Sequence, residues 1–230
     1  MTWVFSKFEK TKDMKLDNYK QLIKNLPVRQ QCFTIIRKNK KWQHAENNFH
    51  WFKDCNDNYF QNGELEISRQ DLFNISNSTR EKILKTIFWG YPNGMHAHDN
   101  FAGILSNIDR LEGIFIELQN SNHLTRDDLN KTQAEFKSIS GLGLSTYSKL
   151  LYFFEIKINN IPCLIVDNRI LDVFKSNTYK DFTSLLDIKG NPEKRYFDFI
   201  NVLDDVAKRL ETRGENIEQF LFLFGSKLKP

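Results

Sequence analysis

The chain has 230 residues, of which 40% are hydrophobic and 20 are Phe, with only 5 Pro and 10 Gly and a net charge of +4. That is length and apolar content for one large or two small domains, and too little Pro and Gly for long flexible linkers. A pI near 8.8 permits a nucleic-acid partner without demanding one.

The opening Met1-Thr-Trp-Val-Phe run is broken by Lys7, Glu9, Lys10 and Lys12, and no apolar run approaches the length of about 18 residues that a membrane span needs. A soluble cytoplasmic protein is therefore expected. Leu16–Leu26 is an amphipathic helix candidate stopped by Pro27. From Gln30 to Phe52 apolar Cys32, Phe33, Ile35 and Ile36 mix with a basic cluster, Arg37, Lys38, Lys40 and Lys41, and no period decides the structure. Such a cluster is ordinarily a solvated face, although basic patches also make salt-sensitive phosphate contacts. Asn56–Asn62 with Gly63 reads as a loop, and Glu64–Ile67 as a short strand or the lead into a helix capped by Ser68.

Beyond Ser78 the pattern is helical throughout. Ser78-Thr-Arg-Glu81 has the form of a capping box, and Ile83, Leu84, Ile87 and Phe88 mark one face of a helix that ends near Gly90-Tyr91-Pro92. His96-Ala-His98-Asp99 lies in the following loop; a lone His-x-His lacks the further ligands of a metal site, so no metal and no cofactor is expected. One helix over about Phe101–Gln119, another started by Thr125-Arg-Asp-Asp128, one opened by Asp167, and two more over Pro192–Leu210 and Glu215–Phe224 complete the series. Cys32, Cys55 and Cys163 are odd in number and lack metal-site spacing, which argues against a disulfide framework. Successive helices with short connectors and no fixed repeat imply a mainly α protein.

Two motifs carry chemistry. Gly141-Leu142-Gly143 joins a helix ending near Ile139 to one beginning near Leu144, and glycine permits positive φ in so tight a turn. The unpaired N–H groups and the dipole at a helix start both favour an anion, which suits a nucleic-acid phosphate. Downstream stands Ile165-Val166-Asp167, with Asp167 eighteen residues after Lys149.

These residues resemble the helix-hairpin-helix DNA glycosylases, in which a hairpin of the type Leu-Pro-Gly-Val-Gly precedes a catalytic Val-Asp. Ile139-Ser140-Gly141-Leu142-Gly143 stands for the hairpin and Ile165-Val166-Asp167 for the aspartate. The chain is more similar still to bacterial proteins of the 8-oxoguanine glycosylase fold, which tend to read Thr-Lys-x-Leu-Tyr-Phe and then Leu-Ile-x-Asp-x-Arg-Val. Here the counterparts are Ser148-Lys149-Leu150-Leu151-Tyr152-Phe153 and Leu164-Ile165-Val166-Asp167-Asn168-Arg169-Ile170. Phe88–Gly94 and Ile217–Phe222 share the likeness, which spans roughly residues 85–225 and leaves the first eighty unaligned.

The resemblance implies a helix-hairpin-helix glycosylase-like helical fold with a short N-terminal β element, residues 81–230 forming the glycosylase-like region and residues 1–80 an N-terminal region packed with it. It implies DNA as partner and no membrane, with Gly141, Leu142, Gly143, Ser145 and Arg169 meeting DNA and Lys149 and Asp167 catalytic. Trp89 and Tyr91 would stack on an extruded base; read without the resemblance they are core and turn residues. Asp167 likewise reads first as an N-cap, a role compatible with catalysis.

One departure concerns the nucleophile. The lysine of bifunctional members usually sits two residues after the second hairpin glycine, where this chain has Ser145. Lys149 lies one turn further, about 5.4 Å, on nearly the same face, and its flexible stem can cover that distance. Ser145, Lys149 and Tyr152 form a polar stripe opposite Leu150, Leu151 and Phe154, which places the lysine away from the core, facing water or a cleft. An amine that reaches C1′ allows a Schiff base and strand cleavage; otherwise water is the nucleophile. Ser145 also leaves open a DNA-binding protein that has lost catalysis, and because some relatives of this fold lie in antiphage gene clusters, a nucleotide- or base-processing enzyme is a third reading.

Overall fold

A computed structural model describes residues 14–95 and 98–228, the side chains of His98 and Asp99 excepted. The His96-Ala-His98-Asp99 motif thus lies outside the described side chains.

A short 3-10 turn, Leu16–Tyr19, leads into α1 (Lys20–Lys24), which ends before Pro27 as the missing N–H of proline requires. Strands β1 (Cys32–Ile36) and β2 (Glu64–Ser68) pair antiparallel, with Phe33 opposite Ile67 and Ile35 opposite Leu65. Ile35, Leu65 and Ile67 turn inward while Glu64 and Glu66 face out, the period of two expected of a half-buried sheet. Between the strands lie α2 (Lys40–Asn48) and α3 (His50–Tyr59). The loop expected from Asn56 is therefore helical to Tyr59. Asn56 is fully buried and its amide donates to Glu46 Oε1 at 2.6 Å, a tertiary contact that overrides the loop preference of an Asn-rich segment.

Ser68 both ends β2 and caps α4 (Arg69–Asn74) in a reciprocal box with Asp71. Ser78 caps α5 (Thr79–Gly90) through the Glu81 N–H, while the Glu81 side chain pairs with Lys85 at 2.6 Å. The single helix expected over Phe101–Gln119 is two, α6 (His98–Ser106) and α7 (Ile108–Asn120). Asn107 separates them, its side chain donating to the Gly103 carbonyl at 2.8 Å in competition with the backbone ladder. A second reciprocal box, Thr125 with Asp128, opens α8 (Arg126–Lys137), which runs into the hairpin and α9 (Leu144–Phe153).

A two-residue ribbon not expected from the sequence, β3 (Lys157–Ile158) with β4 (Ile161–Pro162), leads to α10 (Asn168–Lys175). Helix α11 (Tyr196–Leu210) begins four residues after Pro192, and α12 (Gly214–Phe220) passes into one π-helical turn, Leu221–Gly225. The architecture is mainly α with a short N-terminal β element. One continuous apolar cluster runs from Met14 to Leu221, with Trp42 edge-on to Phe88 and Phe101, and Phe115 stacked between Phe136 and Phe154. Helix α9 crosses its centre, buried from Thr146 to Phe153 on every side.

Candidate active site

The hairpin is built by one glycine with a forced conformation and one without. Gly141 has φ +84°, and a Cβ on it would lie 2.0 Å from the Asn100 carbonyl oxygen of α6. Ile139 and Leu142 sink into the core on either side, so Leu142 can offer DNA only its backbone. Gly143 caps α9 at φ −74° and ψ 172°, an extended conformation open to any residue, and a Cβ there would meet open space. Its glycine serves no turn geometry; of the two, Gly141 alone uses the positive φ that glycine permits. What it does is leave the first N–H groups of α9 uncovered, with no side chain capping them.

Lys149 is not on a solvated face. It is only 7% exposed, because the last turn of α5 covers that side of α9. The lysine stem runs over Gly90, where a Cβ would come within 2.6 Å of Cδ and 3.0 Å of Cε. The amine folds back up the helix and donates to Ser145 O at 2.6 Å and Ser145 Oγ at 2.9 Å. It also stands 5.0 Å from the Tyr91 ring centroid, a cation–π distance. Tyr91 is half-buried, and its hydroxyl shares a 2.8 Å hydrogen bond with Thr146 Oγ1 in the first turn of α9. Ser145, Lys149 and Tyr91 are thus brought together.

Trp89 is not with them. It is 4% exposed, donates Nε1–H to Gln31 O at 3.2 Å, and lies edge-on to Phe33 and Phe153, so an extruded base could reach it only by unpacking these contacts. The third member of the expected stripe, Tyr152, also points inward, donating to Glu215 Oε2 at 2.5 Å.

Asp167 is half-buried and caps α10 by accepting the Ile170 N–H at 3.1 Å. The segment that delivers it, Cys163–Val166, is buried and tied down twice. Tyr196 OH donates to Leu164 O at 2.7 Å and accepts Leu164 N–H at 3.2 Å, and Ser148 Oγ does the same for Val166 at 3.3 Å each way. Ser148 is the residue before Lys149, so the neighbours of the two expected catalytic residues touch. Arg169 is exposed on the first turn of α10, its guanidinium 4.9 Å from the Phe222 ring centroid.

A family model described as "Putative 8-oxoguanine DNA glycosylase OGG-like protein" matches residues 26–222. The chain belongs to this OGG-like family. No curated protein and no solved structure matches it. The match takes in β1, β2 and α2 to α4, the part of the OGG-like chain that the motif resemblance leaves unaligned.

Behind the site, buried Arg69 gives two hydrogen bonds to Glu218, at 2.9 and 3.2 Å, a third to Tyr152 OH at 3.3 Å and a fourth to Gln31 Oε1 at 2.8 Å. Burial pushes the Glu218 carboxyl up; Arg69 pulls it down, and the nearby Asp167 charge adds to the rise. Thr146 and Arg69 carry no sequence signal for the site, and Gly90, Ser148 and Glu218, though they stand in family-like stretches, are not singled out there, since each acts through a partner distant in the chain. A cavity of about 320 Å³ lies elsewhere, between the β3–β4 ribbon and the start of α12, lined among others by Tyr152, Cys163, Leu164 and Glu215 but by neither Lys149 nor Asp167. Among the described residues no helix is long and apolar enough to cross a membrane.

Proposed function

We propose that this OGG-like protein is a DNA glycosylase that excises an 8-oxoguanine-like base from DNA, with Lys149 as nucleophile and Asp167 as the carboxylate that serves it. The observation that carries the reading is the return of the Lys149 amine to Ser145, the position where bifunctional relatives of this kind usually have their lysine. The one-turn offset in sequence is cancelled by the side chain.

A base inside a duplex cannot be attacked at its glycosidic carbon, so the nucleotide is turned out of the stack at a cost of a few kcal/mol. The uncovered N–H groups after Gly143, with Ser145 beside them and Arg169 on the first turn of α10, hold the phosphates. Tyr91, beside the lysine, is the aromatic surface available to the base; Trp89 has no part. The Lys149 nitrogen adds to C1′ as the C1′–N9 bond breaks, and the base leaves with its electron pair and takes up a proton. Asp167 stabilises the positive charge that grows on the sugar and accepts the proton shed by the attacking nitrogen. Sugar-ring opening gives a Schiff base at C1′, from which loss of a C2′ proton expels the 3′ phosphate and nicks the strand.

Borohydride trapping on a duplex carrying 8-oxoguanine tests this. The wild-type protein is expected to form a covalent adduct that Lys149→Gln abolishes along with strand nicking, and Asp167→Asn, which keeps the cap, is expected to slow base release by orders of magnitude. Base release without adduct in the wild type would make water the nucleophile. Absence of both would leave a DNA-binding protein without catalysis.

A further inference from the structure

The N-terminal basic cluster has no part in the chemistry above, and the structure divides it. Arg37 is used internally, its Nε on Glu46 Oε1 at 2.9 Å and its Nη2 on Asp57 Oδ1 at 2.5 Å. Lys38 and Lys40 are exposed, and among the described residues neither pairs with an acid. Lys41 lies along Gly94, where a Cβ would come within 2.5 Å of its Cδ, and its amine donates to the Gly94 carbonyl at 3.3 Å.

The hydrogen bond to Gly94 places the cluster. The Gly94 N–H closes a turn onto Tyr91 O at 2.7 Å, and the Tyr91 ring is the surface under the Lys149 amine. The Tyr91–Gly94 turn is therefore held at one end by Lys149 and at the other by Lys41. Helix α2 packs on α6, and α6 supplies the Asn100 carbonyl against which Gly141 of the hairpin rests. Lys41 thus borders the surface that carries the reacting lysine and the hairpin, with Lys38 and Lys40 exposed beside it in the chain and no ion pair to an acid among the described residues for any of the three. Lys38 and Lys40 make no contact like that of Lys41 with Gly94 among the described residues, and Lys40, like Lys41, stands in the first turn of α2, where a cation runs against the helix dipole.

We infer that Lys38, Lys40 and Lys41 form a second phosphate grip, holding backbone of the DNA that flanks the extruded nucleotide. The inference rests on the DNA reading above. Phosphates are the partner that fits, because the amines are point charges on flexible stems, suited to a charged strand rather than to a shaped ligand.

The test is the salt dependence of binding of the full chain to a labelled duplex, compared among the wild type, the double variant Lys38→Gln/Lys40→Gln and a control double variant, Lys20→Gln/Lys24→Gln, whose lysines pair with Glu211. Every phosphate that a variant no longer neutralises lowers the slope of log K against log salt by about 0.9, so the first double variant should bind with a slope shallower by about 2 and about tenfold more weakly at low salt. The control should match the wild type. Single-turnover base release should be the same in the control and the wild type. A wild type that binds duplex while the Lys38/Lys40 variant keeps its full slope would overturn the grip and leave the glycosylase reading intact. A wild type that does not bind duplex would overturn the DNA reading itself. Loss of binding to anionic lipid vesicles in the variant, with DNA binding kept, would also overturn the grip.

Discussion

The hydroxyl of Ser148 meets both backbone groups of Val166, accepting its N–H and donating to its carbonyl, each at 3.3 Å. This one buried contact joins the middle of α9 to the extended segment whose next residue is Asp167, and so sets the aspartate's position relative to Lys149.

Ser148→Ala should expose that dependence. The variant leaves two buried backbone groups of Val166 without their partner, at a cost of about 1–3 kcal/mol. Because misplacement of a reacting group by about 1 Å can cost about 100-fold in rate, base release should fall by at least about tenfold while DNA affinity stays the same. Thermal unfolding and single-turnover kinetics measure the two effects. A destabilised variant with wild-type base release would show that Asp167 is positioned by its cap alone.

Gly90 is expected to be as sensitive as Lys149 itself. A methyl group there would stand 2.6 Å from the Lys149 Cδ, and the flexible stem must swing away, taking the amine off Ser145. Gly90→Ala should therefore fold, since alanine favours a helix more than glycine does, yet lose borohydride adduct and base release. Acylation with an amine-reactive ester, read by mass spectrometry at Lys149, checks the displacement independently of activity. Lys149 should be labelled faster in Gly90→Ala, where the amine has lost its hydrogen bonds to Ser145.

The segment that bears Asp167 can also be followed through Cys163. Burial pushes this thiol up to about 12 from an ordinary 9.0. The folded protein thus keeps a proton that the unfolded chain loses, so this group's contribution to stability is intact below the ordinary value of 9.0 and declines as pH rises from there towards about 12. Cys163→Val, of similar volume, should make the alkaline loss of stability shallower. In the native wild type at pH about 8, iodoacetamide should modify exposed Cys32 and spare Cys163. In Ser148→Ala, Cys163 should react faster, because its segment then loses its tie to α9 and keeps only those to Tyr196 and Ile156.

The parts of this arrangement that can be read from the sequence are those decided locally. Thr125 and Ser68 cap the helices they precede, Asp167 caps α10, and Gly141 makes the hairpin, because each needs only its near neighbours. The side of α9 that Lys149 faces is not legible in this way, because a period of 3.6 assigns polar residues to solvent, whereas this helix is enclosed all round and its polar stripe meets α5 and α12. In sequence Trp89 and Tyr91 are equivalent, two aromatics beside a Pro. Helix α5 ends between them, so one points into the core and the other lies in the site. Gly90 reads as an ordinary helix end, and its function emerges only when a residue from another helix is laid across it. Asn56 fails in the opposite sense, a loop-forming residue made helical by a long-range partner, Glu46.

The two hairpin glycines should separate folding from binding. Gly141→Ala forces a side chain into positive φ and against the Asn100 carbonyl at 2.0 Å, so it should cost about 1–3 kcal/mol or more and lower the unfolding midpoint clearly. Gly143→Val has neither difficulty: its backbone is extended, its Cβ points into open space, and the weaker cap costs at most about 1 kcal/mol. What the valine does is stand over the first N–H groups of α9, where a phosphate would approach. Duplex affinity should fall about tenfold or more, equivalent to about 1.4 kcal/mol, in a protein that unfolds close to the wild-type temperature. Titration at two salt concentrations beside a thermal melt decides the matter. Unchanged affinity in folded Gly143→Val would take the hairpin out of the DNA interface and leave the first turn of α10 and the lysines before and within α2 to hold the strand.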